Sequence, residues 1–313
     1  MLSRIAEALF WIGRYVERAE CTARALDVHL QLLIEDPTID QAETCRSLLA
    51  AMGVPTDGEP DRATVLRLLL TDSSSPASVA WAIASARESA RRSREVVSTE
   101  MWEAINTTYN RVNGSQLSRW HAADAFRMVR ERANLVAALC DNTISHDAGW
   151  HFLTLGRSIE RVDMTARLIL VRPFTVGPDP VGAEAAWQVS LRLLGAHHAF
   201  TRTYRAIESP RAAAEFLLLD RLFPRSAVFG LTQAAACLEA LDPRQPRLGF
   251  GGDAARIVGR ARATLEVRTV TDLLEHLAEE MQGLQQVCAD ATEAVSARYF
   301  EGAVAPEWLG GTQ

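Results

Sequence analysis

The 313-residue chain contains no lysine, and all 33 of its basic residues are arginine. That absence excludes a P-loop lysine and a Schiff-base lysine outright. Cysteine is sparse as well. Cys21, Cys45, Cys140, Cys237 and Cys288 stand far apart and form no CxxC pair, so neither a zinc site nor a disulfide framework is indicated. They read as small buried hydrophobes. No run of 18 or more apolar residues occurs, which leaves no membrane span. The amphipathic N-terminus carries Arg4 and Glu7, unlike a signal peptide, and the expected location is cytoplasmic. Period-two alternation is missing, so no sheet is expected. Glu-x-x-His pairs, HExxH, GxSxG, DxD clusters and a glycine-rich phosphate loop are absent too. Di-iron and zinc-protease chemistry therefore have no ligand set, and neither a metal nor a cofactor is expected. A net charge of −6 argues against a nucleic-acid binder, which should be basic.

What the chain does contain is a sentence said twice. LFWIGRYVERAECTARAL begins at Leu9, and FLTLGRSIERVDMTARLI begins at Phe152. With Gly13 set on Gly156, residues Arg14, Glu17, Arg18, Thr22, Ala23 and Arg24 fall on Arg157, Glu160, Arg161, Thr165, Ala166 and Arg167. The apolar residues Ile5, Leu9, Ile12, Val16, Ala19, Ala23, Leu26, Leu30 and Leu33 step by three and four, which marks one stripe of an α-helix. The second copy carries the same stripe in kind only. The polar letters Arg14, Glu17, Arg18 and Arg24, by contrast, repeat unchanged. A merely solvated face would have drifted further.

Arg14 and Arg18 are helix neighbours, as are Arg157 and Arg161, and like charges at that spacing repel mildly. Each copy holds more guanidinium than carboxylate, so something acidic must complete it. The candidates are the carboxylate of the other copy, an acidic helix or an anionic ligand, since the arginine fork grips carboxylate and phosphate in a bidentate way. A pseudo-two-fold would set Glu17 against Arg161 and Glu160 against Arg18.

Caps and breaks divide the chain into about a dozen helices in an all-α bundle, with two pseudo-repeated halves that each carry one GRxxER helix. The expected helices cover about 2–34, 40–51, 62–70, 77–97, 99–112 and 116–145, then the second GRxxER helix, entered through a hinge at 146–151 and ending before 172, then 183–207, 210–223, one opened by Pro224-Arg225-Ser226 and running to 241, 253–267 and 271–300. The expected division is an N-terminal region at 1–175, a linker at 176–182 (VGPDPV and its neighbours), a C-terminal region at 183–300 packed with the first, and a tail at 301–313. On the helix expected over 77–97, residues Arg87, Arg91 and Arg94 lie near one face and are candidates for the same acidic-partner site. Cys21 follows Glu17 and Arg18 by one turn, where arginine would lower its thiol pKa. Its counterpart Met164 keeps a nucleophile out of the repeated feature.

The stretches SRIAEALFWIGRYVERAE, ARESARRSREVVSTEMWEAINTTYN and WHFLTLGRSIERVDMTARLI, read together, resemble the bacterial alpha-E family, an all-helical domain named for its Glu-Arg motifs. The resemblance spans the whole chain, and the doubled GRxxER carries it. It implies association with circularly permuted ATP-grasp ligases and transglutaminase-like proteins in peptide-synthesis or peptide-modification systems. On that implication the chain is an accessory or scaffold protein without chemistry of its own. Its Glu-Arg motifs would bind a partner, an acidic peptide or a small anion. Two other readings remain: an enzyme using Glu17 or Glu160 as acid/base within an anion site, and a structural dimerisation module. A carboxyl of raised pKa in a pocket would favour the enzyme; an exposed apolar patch would favour the dimer.

Overall fold

The computed structural model describes residues 1–113, 121–171, 181–205, 209–244 and 249–300. These form a purely helical bundle with no strand longer than a single bridge residue. In chain order the helices are α1 (Ser3–Glu35), α2 (Gln41–Ala51), α3 (Arg62–Leu66), α4 (Val79–Arg92), α5 (Thr99–Val112), α6 (Ala122–Thr143) and α7 (Ala148–Ile169). The remainder are α8 (Val181–Leu193), α9 (His197–Tyr204), α10 (Pro210–Leu219), α11 (Ala227–Leu241), α12 (Asp253–Val267), α13 (Val270–Glu275) and α14 (Leu277–Tyr299). A single π-turn, Arg67–Thr71, extends α3.

Short side chains with an acceptor oxygen set most of the helix starts. Asp40, Asp61, Ser78, Ser98, Asp147, Ser209, Ser226 and Thr269 each accept a backbone N–H of the first turn. Several expected helices are shorter or divided. The helix expected to 97 stops at Arg92, and Ser93 to Val97 form turns. The helix expected over 183–207 breaks at Leu194–Ala196 because Gly195 takes a left-handed φ of 62°. The Arg24 guanidinium lies against that glycine, where a Cβ would stand 2.7 Å from its Nη1. The last expected helix divides at His276. Of the expected linker, 176–180 lie outside the described residues, and Val181 already opens α8. The expected tail at 301–313 and the loop around 114–115 also lie outside them.

The bundle is built around α1. Its apolar stripe is only part of what it buries: Arg14, Glu17, Arg18 and Glu20 are buried along with Phe10, Ile12 and Leu26. That is why α1 packs on α4 and α6 as well as on α7, with α14 and α8 against it too. The second repeated helix, α7, is equally enclosed, with α11 and α14 on its other sides.

At the α1–α7 crossing the two backbones touch. A Cβ on Gly13 would stand 2.1 Å from the Leu153 carbonyl oxygen, and one on Gly156 would stand 2.0 Å from that of Phe10. Phe10 and Leu153 are themselves equivalent positions of the repeat, so the contact is reciprocal. No side chain can occupy either site unless the helices move apart, and moving them apart opens a core in which Phe10 and Leu155 are fully buried. Gly156→Ala is therefore expected to destabilise the protein by about 3 kcal/mol or more in denaturant unfolding. A midpoint equal to that of the wild type would show that the helices do not approach this closely.

Candidate functional site

The glycine contact fixes α1 and α7 so closely that polar side chains one turn further along must meet across the interface. Glu17 accepts two hydrogen bonds from Arg161, from Nε at 2.9 Å and from Nη2 at 2.7 Å. Glu160 accepts from Arg18, through Nε at 2.5 Å and Nη2 at 3.0 Å. Each carboxylate thus grips the guanidinium of the opposite helix with both oxygens, the strongest geometry for such a pair. Arg14 adds a third donor to Glu160 at 2.5 Å, and its Nη1 reaches Thr292 of α14 at 2.5 Å. The acidic partner required by the surplus of arginine is, at both ends, the carboxylate of the other repeat.

Around this crossed core lies a second ring. Glu20 accepts from Arg24 one turn on, and Asp163 accepts from Arg167 at 2.9 Å with the same spacing of four. Arg225, in the turn before α11, donates to Glu17 at 2.9 Å and to Glu20 at 2.7 Å. Its carbonyl accepts from Thr165, which anchors that turn to α7. Glu20, Asp163, Thr292 and Arg225 are not among the site residues expected from the sequence. The acidic pair has a signal there, because Glu20 and Asp163 are equivalent in the repeat and each stands four residues before a repeated arginine. Arg225 has none beyond its place after Pro224.

Burial and charge set the state of these groups. Burial works to raise the Glu17 carboxyl, but Arg161 and Arg225 overcome it and hold the group down at about 2. Glu160 follows the same balance: burial pushes up, and Arg14 and Arg18 pull its pKa below the usual value. Burial lowers Arg14 and Arg161 less than their carboxylates raise them, so both bind their protons more tightly than usual. The carboxyl of raised pKa that an acid/base enzyme would need is therefore not found at Glu17 or Glu160. Cys21 also departs from expectation. Burial lifts its thiol well above the ordinary value, outweighing Arg225, and Glu17 and Glu20 push it the same way. It stays a neutral, unreactive thiol.

Glu17, Glu20 and Cys21 present donor atoms within 4.8 Å of one another. Arg161, Arg225 and Arg24 already occupy those donors, so a cation would have to displace three guanidiniums to bind. Arg87, Arg91 and Arg94 are not brought to this cluster. Arg87 donates to Asn106 at 2.7 Å and lies over the Tyr109 ring. Arg91 pairs with Glu88 on its own helix, and Arg94 lies over Trp102. Arg157, the counterpart of Arg14, does not reach Glu17 as Arg14 reaches Glu160; its Nη2 stands 3.5 Å from Asp141.

A family model named Alpha-E, described as a predicted alpha-helical domain with a conserved ER motif, matches residues 1–300. The chain is 24% identical over 336 aligned residues to uncharacterized protein Mb2597 of Mycobacterium bovis and to uncharacterized protein Rv2567 of Mycobacterium tuberculosis. Each alignment covers 97% of this chain but 38% of the relative, so the chain spans well under half of their length. No solved structure matches it. Among the described residues no helix is long and apolar enough to cross a membrane.

The charges generate two predictions. Arg18→Ala leaves a fully buried Glu160 short of its bidentate partner and should cost about 3–5 kcal/mol in denaturant unfolding. An unchanged midpoint would mean that the carboxylate does not rely on Arg18. The pH dependence has two windows. Glu17 has a folded pKa of about 2 against 4.5 ordinarily, so its contribution of about 3 kcal/mol is complete above 4.5 and lost as pH falls toward 2. His29 is buried on α1 with Nε2 3.5 Å from Cys45 Sγ, and burial lowers its pKa from 6.5 to about 4. It must stay neutral in the fold, so a further loss of about 3 kcal/mol falls between 6.5 and 4. His29→Leu should flatten the upper window alone; a wild-type acid profile in that variant would remove His29 from the account.

Proposed function

The chain belongs to the Alpha-E family, and from that premise we propose that it is a helical accessory domain serving an ATP-grasp-type amide or peptide ligase in a bacterial peptide-synthesis or peptide-modification system. The observation that supports an accessory role is the closure of the Glu-Arg motif on itself. Glu17 and Glu160 are buried, ionised and saturated by guanidinium. Groups in that state do not shuttle protons near neutral pH, and their oxygens are already taken by guanidinium. They hold two helices in one register, which suits a rigid platform better than a reaction centre.

The relatives' length supports the same reading. In them the matched region is 38% of the chain, so this domain lies beside a larger region of other sequence. Regions joined in one polypeptide commonly work together. The class of that partner comes from the resemblance to a family associated with ATP-grasp and transglutaminase-like proteins, and so rests on association rather than on a contact.

Affinity purification of the tagged protein from its own host, with mass spectrometry of what co-elutes, tests the proposal. Recovery of an ATP-grasp-type protein, and a ligase activity that rises when the two purified proteins are mixed, are the expected results. A protein that elutes with no ligase and turns over a small acid by itself would overturn the accessory reading.

A further inference from the structure

The local symmetry of the crossed helices fails at one residue, and an opening lies beside it. Arg14 spends its Nε on Glu160 and its Nη1 on Thr292. Its counterpart Arg157 makes neither kind of contact, and among the described residues its ion-pair partner is Asp141 at 3.5 Å, beyond ordinary hydrogen-bond length. The Arg157 side chain is nevertheless only 17% exposed. Between α1, α6 and α7 lies a cavity of about 30 Å³, lined by Arg157, Arg161, Asn134, Glu17 and Glu20 with apolar walls such as Val16. That volume holds roughly two or three water-sized positions, the room two carboxylate oxygens need. Both lining carboxylates are already held by Arg161, Arg225 and Arg24. The donors left to the cavity are those of Arg157 and the Asn134 amide at its exposed mouth. Arg161, Arg225 and Arg157 all act to lower Glu17 against the burial that raises it.

We propose that this cavity is a binding site for a single carboxylate group, gripped by the Arg157 guanidinium and admitted past Asn134. The site does not depend on the accessory role above. A free small acid and the carboxylate of an acidic peptide share this chemistry, and the test separates them.

Calorimetric titrations of the whole protein use sodium acetate, sodium chloride at equal ionic strength, a short polyglutamate peptide, and a polyglutamine peptide with an amidated C-terminus. Acetate should bind with heat that chloride does not produce. Arg157→Gln should weaken binding by about tenfold or more, the effect of losing one charge-assisted pair. Asn134→Asp, an exposed change that spares the fold, should weaken it in the same direction by placing a negative charge at the mouth. Binding of polyglutamate without acetate would assign the carboxylate to a peptide; binding of acetate would assign it to small acids. No binding of either by the wild type, or wild-type affinity in both folded variants, would overturn the proposal.

Discussion

Two carboxylates buried at the centre of a helix bundle are tolerable only if each meets its counter-charges at hydrogen-bond distance. The desolvation of each ion costs several kcal/mol, and a misplaced partner does not return it. Here the placement is set by something simpler than charge. Gly13 and Gly156 let the α1 and α7 backbones touch, and that contact leaves one relative position for the helices. One turn away, Glu17 and Glu160 then lie where Arg161 and Arg18 can reach them with both forks. Glycine contact and ion pairs each presuppose the other.

The symmetry of this clamp is local. Glu160 takes its extra donor, Arg14, from the facing helix, whereas Glu17 takes its own from Arg225 in a distant turn. Arg225 also binds Glu20, so the α10–α11 connection is stitched to α1 by charge. The exchange frees Arg157 from the clamp, and this departure from the repeat coincides with an opening toward solvent.

Much of this is legible in the order of the residues. A polar face repeated letter for letter while the apolar face drifts points to charges under packing constraint, and the surplus of arginine demands an acid. The crossed pairing follows from those two facts and a two-fold. Other parts leave no trace in a single sequence. Arg225 is an ordinary residue after a proline, and its role exists only because α11 packs on α7. The Arg87, Arg91 and Arg94 stripe reads as an extension of the site, because helical spacing cannot tell which neighbour a face meets; it meets Asn106, Trp102 and Tyr109 instead. Cys21 departs from expectation where the two glutamates keep to their expected partners. Sequence names the charges nearby but not the burial, and burial decides the direction for the thiol and is overcome for the carboxylates.

The central claim is that Arg18 and Glu160 act as one unit between two helices. A double-mutant cycle in denaturant unfolding, with Arg18→Met, Glu160→Gln and the pair together, measures it directly. A coupling energy of about 2 kcal/mol or more is predicted, because each single change strands a buried partner that the double change removes. Single-variant costs that add to within about 0.5 kcal/mol would show two independent residues and contradict the account.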